Sequence, residues 1–226
     1  MVSFTSIALA LAAATASLAV PLDGDFAANF PEINFDLGEL ESNLTKRQSY
    51  STDYTTGSGS VNYSPSSTGP YTVTFSGASD FVVGKGWNPG NANAVTYSGS
   101  FSASSGTVTL ALYGWTTSPL VEWYVIENYN IAPSGGQIST VSTDGGTYNI
   151  LINTRTNEPS IEGTATFKQV KSVRTSTRSS GTITLANHFA AWKNAGLSMG
   201  TYNLEVMATE GYNSAGGSVS ITALSH

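Results

Sequence analysis

The sequence predicts an all-β fold, a two-sheet sandwich or jelly roll with a single helix. Three observations support this fold class. From Gln48 onward, short segments alternate between apolar and polar residues. Glycine, serine, asparagine and proline separate these segments, and only one stretch has helical spacing. With 40% hydrophobic and 11% charged residues, the chain has enough apolar side chains for a core, so we do not expect global disorder.

The N-terminal segment has the character of a targeting signal. An apolar run from Ile7 to Ala14 is followed by small residues at Ser17 and Ala19. This pattern is typical of a secretory signal peptide, and the apolar run is too short to span a membrane. We therefore predict a signal peptide over residues 1–19.

Residues 20–47 form a second segment of different composition. They are rich in aspartate and glutamate and end in the dibasic pair Lys46-Arg47. We predict that they are a propeptide cleaved after Arg47. The mature protein is then one domain, residues 48–226, which we expect to be secreted and extracellular.

The domain from Gln48 onward contains the predicted strands and the predicted helix. Three clear period-two segments place the following residues on one face of a strand: Tyr71, Val73, Phe75; Val95, Tyr97, Phe101; and Val108, Leu110, Leu112. Turn signals stand at Asn88-Pro89-Gly90 and Asp144-Gly145-Gly146. Thr184 to Gly196 is predicted to be the helix, because four large side chains recur there at helical spacing: Leu185, His188, Phe189 and Trp192.

Charge and residue usage exclude several classes of function. A formal net charge of −6 argues against a nucleic-acid partner. The absence of cysteine excludes disulfides and thiolate chemistry, and two histidines give no basis for a histidine-rich metal site. Gly196–Gly200 fits the nucleophile-elbow pattern but follows the helix instead of preceding it, and we find no partner for His188 or His226. We expect no metal, no cofactor and no membrane partner, and we expect a monomer.

Alternation also predicts which strand face carries aromatic side chains. Since Val108, Leu110 and Leu112 must face the core, Tyr113 and Trp115 lie on the opposite face. Exposed aromatic rings there could stack on the apolar faces of sugars. The alternative is that they brace a neighbouring sheet.

Two glutamates stand in similar apolar surroundings far apart in the sequence. Glu122 lies within the apolar segment Leu120 to Glu127, and Glu210 shares the parity of the apolar side chains in Tyr202 to Tyr212. A carboxylate in such company is costly unless it is hydrogen-bonded or functional. Paired carboxylates in a sugar-sized cleft predict glycoside hydrolysis, one as nucleophile or base and the other as general acid.

Two further glutamates have the opposite parity. Glu205 points away from the face of Glu210, so we expect it to be solvated. Glu127 points away from the face of Glu122, and we expect it at most to support the site.

Several motifs together carry a family resemblance: Phe81–Trp87, Leu112–Trp115, Pro119–Tyr124, Pro159–Gly163, Ala186–Phe189 and Ala208–Tyr212. In their order and spacing they resemble the endo-1,4-beta-xylanases of glycoside hydrolase family eleven. The resemblance implies a beta-jelly roll of two packed, strongly curved antiparallel sheets. It also implies retaining hydrolysis of internal beta-1,4-xylosidic bonds in xylan, with Glu122 as nucleophile and Glu210 as acid/base.

The resemblance assigns further roles within the cleft. Pro159–Gly163 corresponds to the tip of a thumb-like hairpin over the substrate. Asp80 stands beside the acid/base, where aspartate is typical of members with an acid pH optimum. We expect the charge of Glu122 to raise the pKa of Glu210. The expected substrate-binding residues are Tyr54, Tyr113, Trp115, Tyr124, Arg155, Pro159, Ser160, Gln169 and Tyr212.

The chain departs from the family pattern at three cleft positions. Tyr54 replaces a usual tryptophan, Leu204 replaces a common tyrosine, and Gln169-Val170-Lys171 stands where the family usually reads Gln-Tyr-Trp. We therefore expect lower activity than in a typical member, with the mechanism intact. The main alternative is a weakly active or inactive xylan-binding protein, and a jelly-roll cellulase or a lectin are further alternatives.

Overall fold

The computed structural model describes residues 50–226. The predicted signal peptide and propeptide, residues 1–47, lie outside the described residues. The described part forms ten strands and one helix: β1 (Tyr50–Thr56), β2 (Ser60–Pro65), β3 (Tyr71–Trp87), β4 (Ala94–Thr117), β5 (Val121–Tyr129), β6 (Gly136–Thr143), β7 (Gly146–Ser160), β8 (Gly163–Arg174), β9 (Ser180–Thr184), α1 (Leu185–Asn194) and β10 (Thr201–Ser225).

Three strands are unusually long and change neighbours along their length. β3, β4 and β10 have 17, 24 and 25 residues, against about 3–10 in most strands. The first part of β3 pairs with β2 and the rest with β1. The first part of β4 pairs with β9 and the last part with β5. β10 pairs with both β3 and β4 along most of its length.

These long strands connect two layers through continuous hydrogen bonding. One layer contains β2, β9 and one end of each long strand, and the other contains β1, the opposite ends, β5, β8, β7 and β6. Register shifts between Tyr212 and Ala215 and between Ala215 and Gly217 mark where β10 passes from one layer to the other. Such irregularities bend strands, which allows one sheet to fold over itself. The predicted all-β fold of curved sheets is confirmed, except that β5 and β8 pair in parallel.

The two faces of the larger layer pack against different partners. Val108, Leu110 and Leu112 face the core between the layers, as their alternation predicted. Tyr113 and Trp115 lie on the opposite face, in a second apolar cluster. They are only 9% and 4% exposed, so the expectation of exposed aromatic rings was wrong.

The second cluster is buried because a distant strand contributes to it. The ring of Phe167, from β8, lies 4.9 Å from that of Trp115 in an edge-on arrangement. Phe167 belongs to the hairpin formed by β7 and β8, in which it pairs with Arg155. The aromatic rings of this face brace each other, and they also line the cavities described below.

The helix supports the strand that carries Glu122. It spans Leu185–Asn194, inside the predicted range, and buries Leu185, His188 and Trp192. The rings of Trp192 and Trp123 lie 6.2 Å apart, and the Trp192 indole donates a hydrogen bond to Ser172 Oγ at 2.9 Å. Within residues 50–226, no helix is long and apolar enough to cross a membrane.

Glu205 is fully buried, so the expectation that it is solvated was wrong. Its neighbour Met207 shares its parity and lies in the core between the layers, so the face opposite Glu210 is covered too. Glu205 accepts a hydrogen bond from the backbone N–H of Asn91 at 2.9 Å and lies 3.4 Å from His226 Nε2. The His226 ring stacks on Trp87 with 3.6 Å between centroids, so this histidine has partners after all.

Glu127 also faces the core side and does not line the site cavities described below. Its carboxylate accepts hydrogen bonds from the hydroxyls of Tyr97 at 3.0 Å and Tyr148 at 2.6 Å, and it forms an ion pair with Arg178. These contacts join β4, β5, β7 and the segment before β9. Glu127 therefore links these elements on the face opposite Glu122.

Candidate active site

Two adjoining cavities of about 400 and 380 Å³ lie on the face of the second apolar cluster. Four residues line both of them, namely Asp80, Tyr124, Arg155 and Glu210. Every site residue expected from the sequence lines at least one cavity. The 400 Å³ cavity adds Gln169 and Tyr212, and the 380 Å³ cavity adds Tyr54, Tyr113, Trp115, Glu122, Pro159 and Ser160.

The Glu122 carboxylate is held by three hydrogen-bond donors. The hydroxyls of Tyr113 and Tyr124 donate to Oε1 at 3.2 and 2.9 Å, and the Gln169 amide donates to Oε2 at 2.6 Å. Glu122 is 8% exposed. Burial raises its pKa, whereas the hydrogen bonds from Gln169, Tyr124 and Tyr113 lower it because they favour the ionised form. The net effect is a pKa of Glu122 above its ordinary value, and the hydrogen bonds keep this rise smaller than burial alone would make it. The carboxylate is thus fixed in position by donors that favour its ionised form.

Strand register produces this arrangement. Tyr113 of β4 lies opposite Tyr124 of β5, and Trp115 lies opposite Glu122. On the other side of β5, Glu122 lies opposite Gln169 of β8. Cross-strand neighbours on one face are within side-chain reach of each other. The Trp115 indole donates to the Tyr113 hydroxyl at 2.5 Å, which orients that hydroxyl toward Glu122.

Glu210 has a very different environment. It lies in the middle of β10, between Val82 of β3 and Thr109 of β4. Among residues 50–226 its carboxyl group has no hydrogen-bond partner. Its pKa is raised to about 7, first by burial and second by the charge of Glu122. The like-charge effect expected from the sequence is therefore present but is the smaller cause.

Charged neighbours adjust this value in both directions. The carboxylate of Asp80 raises the pKa of Glu210, while the cations Lys171 and Arg155 lower it. Burial raises the pKa of Asp80 itself.

Between residues 50 and 226, no group of three or more histidine, aspartate or glutamate side chains could hold a metal ion.

A paired set of carboxyl groups, one anionic and one protonated, is the arrangement that glycoside hydrolysis needs. The family model described as Glycosyl hydrolases family 11 matches residues 46–222. This chain belongs to glycosyl hydrolase family 11. It is 46% identical over 222 residues to Endo-1,4-beta-xylanase B of Phanerodontia chrysosporium, covering 96% of this chain and 75% of that protein. It is 45% identical over 223 residues to Endo-1,4-beta-xylanase 1 of Hypocrea jecorina, covering 96% of each.

A solved structure also matches this family 11 chain. It comes from a structural comparison of two major endo-1,4-beta-xylanases from Trichoderma reesei. The TM-score is 0.75 at 48% sequence identity, and the match covers 80% of this chain and 99% of that chain. The expected jelly roll is therefore confirmed.

The hairpin of β7 and β8 lies beside the cavities, where the family resemblance places a thumb. Pro159, Ser160 and Ile161 line the 380 Å³ cavity. The Ser160 hydroxyl donates to the Gly163 carbonyl at 2.6 Å and accepts from the Glu162 N–H at 3.1 Å. Ser160 therefore closes the hairpin turn, in addition to any contact with substrate.

Some cavity residues were not predicted as site residues. Tyr50 and Ile161 add apolar surface to the 380 Å³ cavity. Lys171 lines the 400 Å³ cavity, with its ammonium 5.7 Å from the centre of the Tyr124 ring. The sequence held a signal for this position, because Lys171 has the same strand parity as Gln169. It was interpreted only as the loss of an aromatic residue.

Proposed function

We propose that this family 11 chain hydrolyses internal beta-1,4-xylosidic linkages of xylan with retention of configuration, with Glu122 as nucleophile and Glu210 as acid/base. The contrast between the two carboxyl groups supports this proposal most directly. Both line one cavity. Glu122 accepts three hydrogen bonds that favour its anion, whereas Glu210 has a pKa of about 7 and is protonated below neutral pH.

In the first step, the Glu122 carboxylate attacks the anomeric carbon while Glu210 gives its proton to the leaving glycosidic oxygen. The carbon–oxygen bond breaks, and a covalent glycosyl ester forms on Glu122. The hydroxyls of Tyr113 and Tyr124 and the Gln169 amide hold the nucleophile in place, which reduces the entropy cost of reaching the reactive geometry.

In the second step, water replaces the leaving sugar. Esterification removes the negative charge of Glu122, and with it the second largest cause of the raised pKa of Glu210. Glu210, now ionised, can accept a proton from water as the water attacks the anomeric carbon. Hydrolysis of the ester restores the Glu122 carboxylate and returns the proton to Glu210.

The proposal is tested with xylan and with an aryl xylobioside that has a good leaving group. Glu122→Gln should abolish hydrolysis of both substrates. Glu210→Gln should abolish hydrolysis of xylan but keep formation of the glycosyl ester from the aryl substrate, because that leaving group needs no proton. Asp53→Asn, at an exposed position that lines neither cavity, serves as the matched control.

The product anomer provides an independent measurement. Proton NMR should show the β-anomer first if configuration is retained. Initial release of the α-anomer would contradict the double-displacement mechanism, and full activity of Glu122→Gln would contradict the assignment of the nucleophile.

A second candidate function is xylan binding with little or no turnover. Leu204 and Lys171 stand at cleft positions where the resemblance places aromatic residues, which reduces ring surface for sugar stacking. Binding of xylan without release of reducing sugars would establish this candidate.

We further propose that the protein is secreted as a monomer after removal of residues 1–19 and 20–47. The apolar segment and the dibasic pair Lys46-Arg47 support this processing. Intact-mass analysis of the secreted protein should give an N-terminus at Gln48, and light scattering should give the mass of one chain.

A further inference from the structure

A cation lies inside the cleft, next to the proposed nucleophile. Parallel pairing of β5 and β8 puts Lys171 opposite Tyr124, as it puts Gln169 opposite Glu122. The Lys171 ammonium lies 5.7 Å from the centre of the Tyr124 ring, and the Tyr124 hydroxyl donates to Glu122. Lys171 is therefore separated from the nucleophile by a single aromatic side chain.

The Lys171 ammonium is desolvated but has no direct partner. Burial lowers its pKa, whereas the charges of Glu210 and Glu122 favour its charged form. Within residues 50–226, no side chain or backbone group forms a hydrogen bond or an ion pair with it. Lys171 is half-buried, so its charge loses part of its hydration without gaining such a partner in exchange. This arrangement leaves all three N–H donors of the ammonium available to a bound group.

The cavity that Lys171 lines lies on the leaving-group side of the site. Of the two proposed catalytic carboxyl groups, Glu210 lines the 400 Å³ cavity and Glu122 does not. A general acid must contact the leaving oxygen, whereas the nucleophile contacts the sugar that is retained. This assignment rests on the proposed function, and it places the departing part of the xylan chain against Lys171.

The charge of this cavity favours an anion at acid pH. Lys171 and Arg155 are both in its wall and act on each other electrostatically. Arg155 also lies 3.5 Å from the Glu158 carboxylate, in an exposed ion pair that offsets part of its charge. The acidic groups in the same wall are Asp80 and Glu210, and burial raises the pKa of each. As the pH falls, Asp80 and Glu210 are therefore protonated at a higher pH than ordinary carboxyl groups. Lys171 and Arg155 keep their positive charges. A sugar carboxylate, with an ordinary pKa of about 4, is still largely ionised in mildly acid solution.

We propose that the 400 Å³ cavity binds a uronic acid substituent of the leaving xylan chain, with Lys171 as the residue that determines this specificity and Arg155 as a second cation. The xylose backbone is neutral, so a carboxylate-bearing branch is the part of the polymer that carries a charge opposite to that of Lys171. Charge-assisted hydrogen bonds are the strongest that such a cavity can offer. The expected products carry the uronic acid close to the non-reducing end of the released fragment.

The test compares one polysaccharide with and without its carboxylates. The kcat/KM for glucuronoxylan is divided by that for the same xylan after its carboxyl groups have been reduced to alcohols. The ratio should exceed one for the wild type, and Lys171→Met should lower it about tenfold, the size expected for a charge-assisted hydrogen bond. Methionine keeps the length of the side chain, and Lys193→Met, at an exposed helix position, is the matched control.

The ratio separates this specificity from a change in Glu210. Since the same acid acts on both substrates, a shift in its ionisation alters both kcat/KM values equally and leaves the ratio unchanged. An equal loss on both substrates, or an unchanged ratio in Lys171→Met, would overturn the inference. Rising salt should reduce the wild-type ratio, because it screens the attraction.

Binding provides a measurement that does not depend on turnover. Calorimetry of acidic and neutral xylo-oligosaccharides should show a preference for the acidic ligand in the wild type and a much smaller one in Lys171→Met, in which Arg155 is the remaining cation. If hydrolysis is absent but this preference is found, the proposed function fails and the acidic subsite remains. If hydrolysis is present but no preference is found, the subsite fails and the proposed function remains.

Discussion

Replacing Glu210 by glutamine is expected to make the protein more stable at neutral pH while it abolishes xylan hydrolysis. Glutamine has nearly the same shape but cannot ionise. In the folded protein the pKa of Glu210 is raised to about 7 from an ordinary 4.5, because its charged form is buried and lies near Glu122. Ionisation of this carboxyl therefore weakens the folded state.

The pH range and the size of the effect follow from this shift. A raised folded-state pKa means that the stabilisation from the bound proton is complete below pH 4.5 and is lost as the pH rises through about 7. Each pKa unit corresponds to about 1.36 kcal/mol, which gives up to about 3 kcal/mol. Because Glu210 is partly exposed, screening by water reduces this figure, and we expect about 2 kcal/mol. For a chain of this size, that corresponds to about 4–8 °C in Tm.

Urea unfolding at pH 4 and pH 8 measures the difference directly. The free energies of unfolding of the wild type and Glu210→Gln should differ by about 2 kcal/mol more at pH 8 than at pH 4. Glu162→Gln, an isosteric change at an exposed position, should follow the wild type at both pH values. If the stabilities of Glu210→Gln and the wild type change in parallel with pH, the reasoning about the buried acid is refuted.

Three further changes test other parts of the structure. Tyr124→Phe removes a hydrogen bond that lowers the pKa of Glu122, so the acid limb of the pH profile of kcat/KM should move to higher pH. In the folded protein, burial lowers the pKa of His188 to about 4, while the unfolded chain takes up its proton near 6.5, so the wild type loses stability on acidification. In urea unfolding, the loss of stability between pH 6.5 and pH 4 should be about 3 kcal/mol smaller in His188→Leu than in the wild type. Tyr54→Trp enlarges a ring that is 47% exposed beside the cavity, so KM for xylan should fall by about two- to tenfold, and an unchanged KM would show that this ring does not stack on sugar.

The alternation of apolar and polar residues correctly predicted which face of a strand each side chain occupies. It placed Tyr113 and Trp115 on the face opposite Leu112, because successive side chains of any strand point to opposite faces. It did not reveal that both aromatic rings are buried, because Phe167, from a strand about fifty residues later, packs against Trp115. Burial depends on which distant strand packs against a face, and a local sequence pattern does not contain that information.

Glu205 shows a second limit of the same kind. Its parity was interpreted correctly, but the face opposite Glu210 is the core between the layers and not solvent. Alternation separates core from solvent only where one face of a sheet is open, and both faces of β10 are buried from Leu204 to Thr209. Its neighbours Asn91 and His226 come from distant parts of the chain and could not be inferred from the strand.

Lys171 shows the limit of comparison with a family pattern. Such a comparison identified the missing aromatic ring, but the physical change also includes a new charge. The position of that charge beside Tyr124 depends on the parallel register of β5 and β8. Antiparallel pairing was expected throughout, so this neighbour could not have been deduced.

The passage of β3, β4 and β10 through both layers has a consequence for how the enzyme unfolds. One layer cannot unfold while the other stays folded, because the same three strands form hydrogen bonds in both layers. We expect a single, all-or-none melting transition, with no half-open species for a protease to cut. Such cooperativity would protect the folded catalyst from proteolysis, because cleavage requires an opened segment of chain.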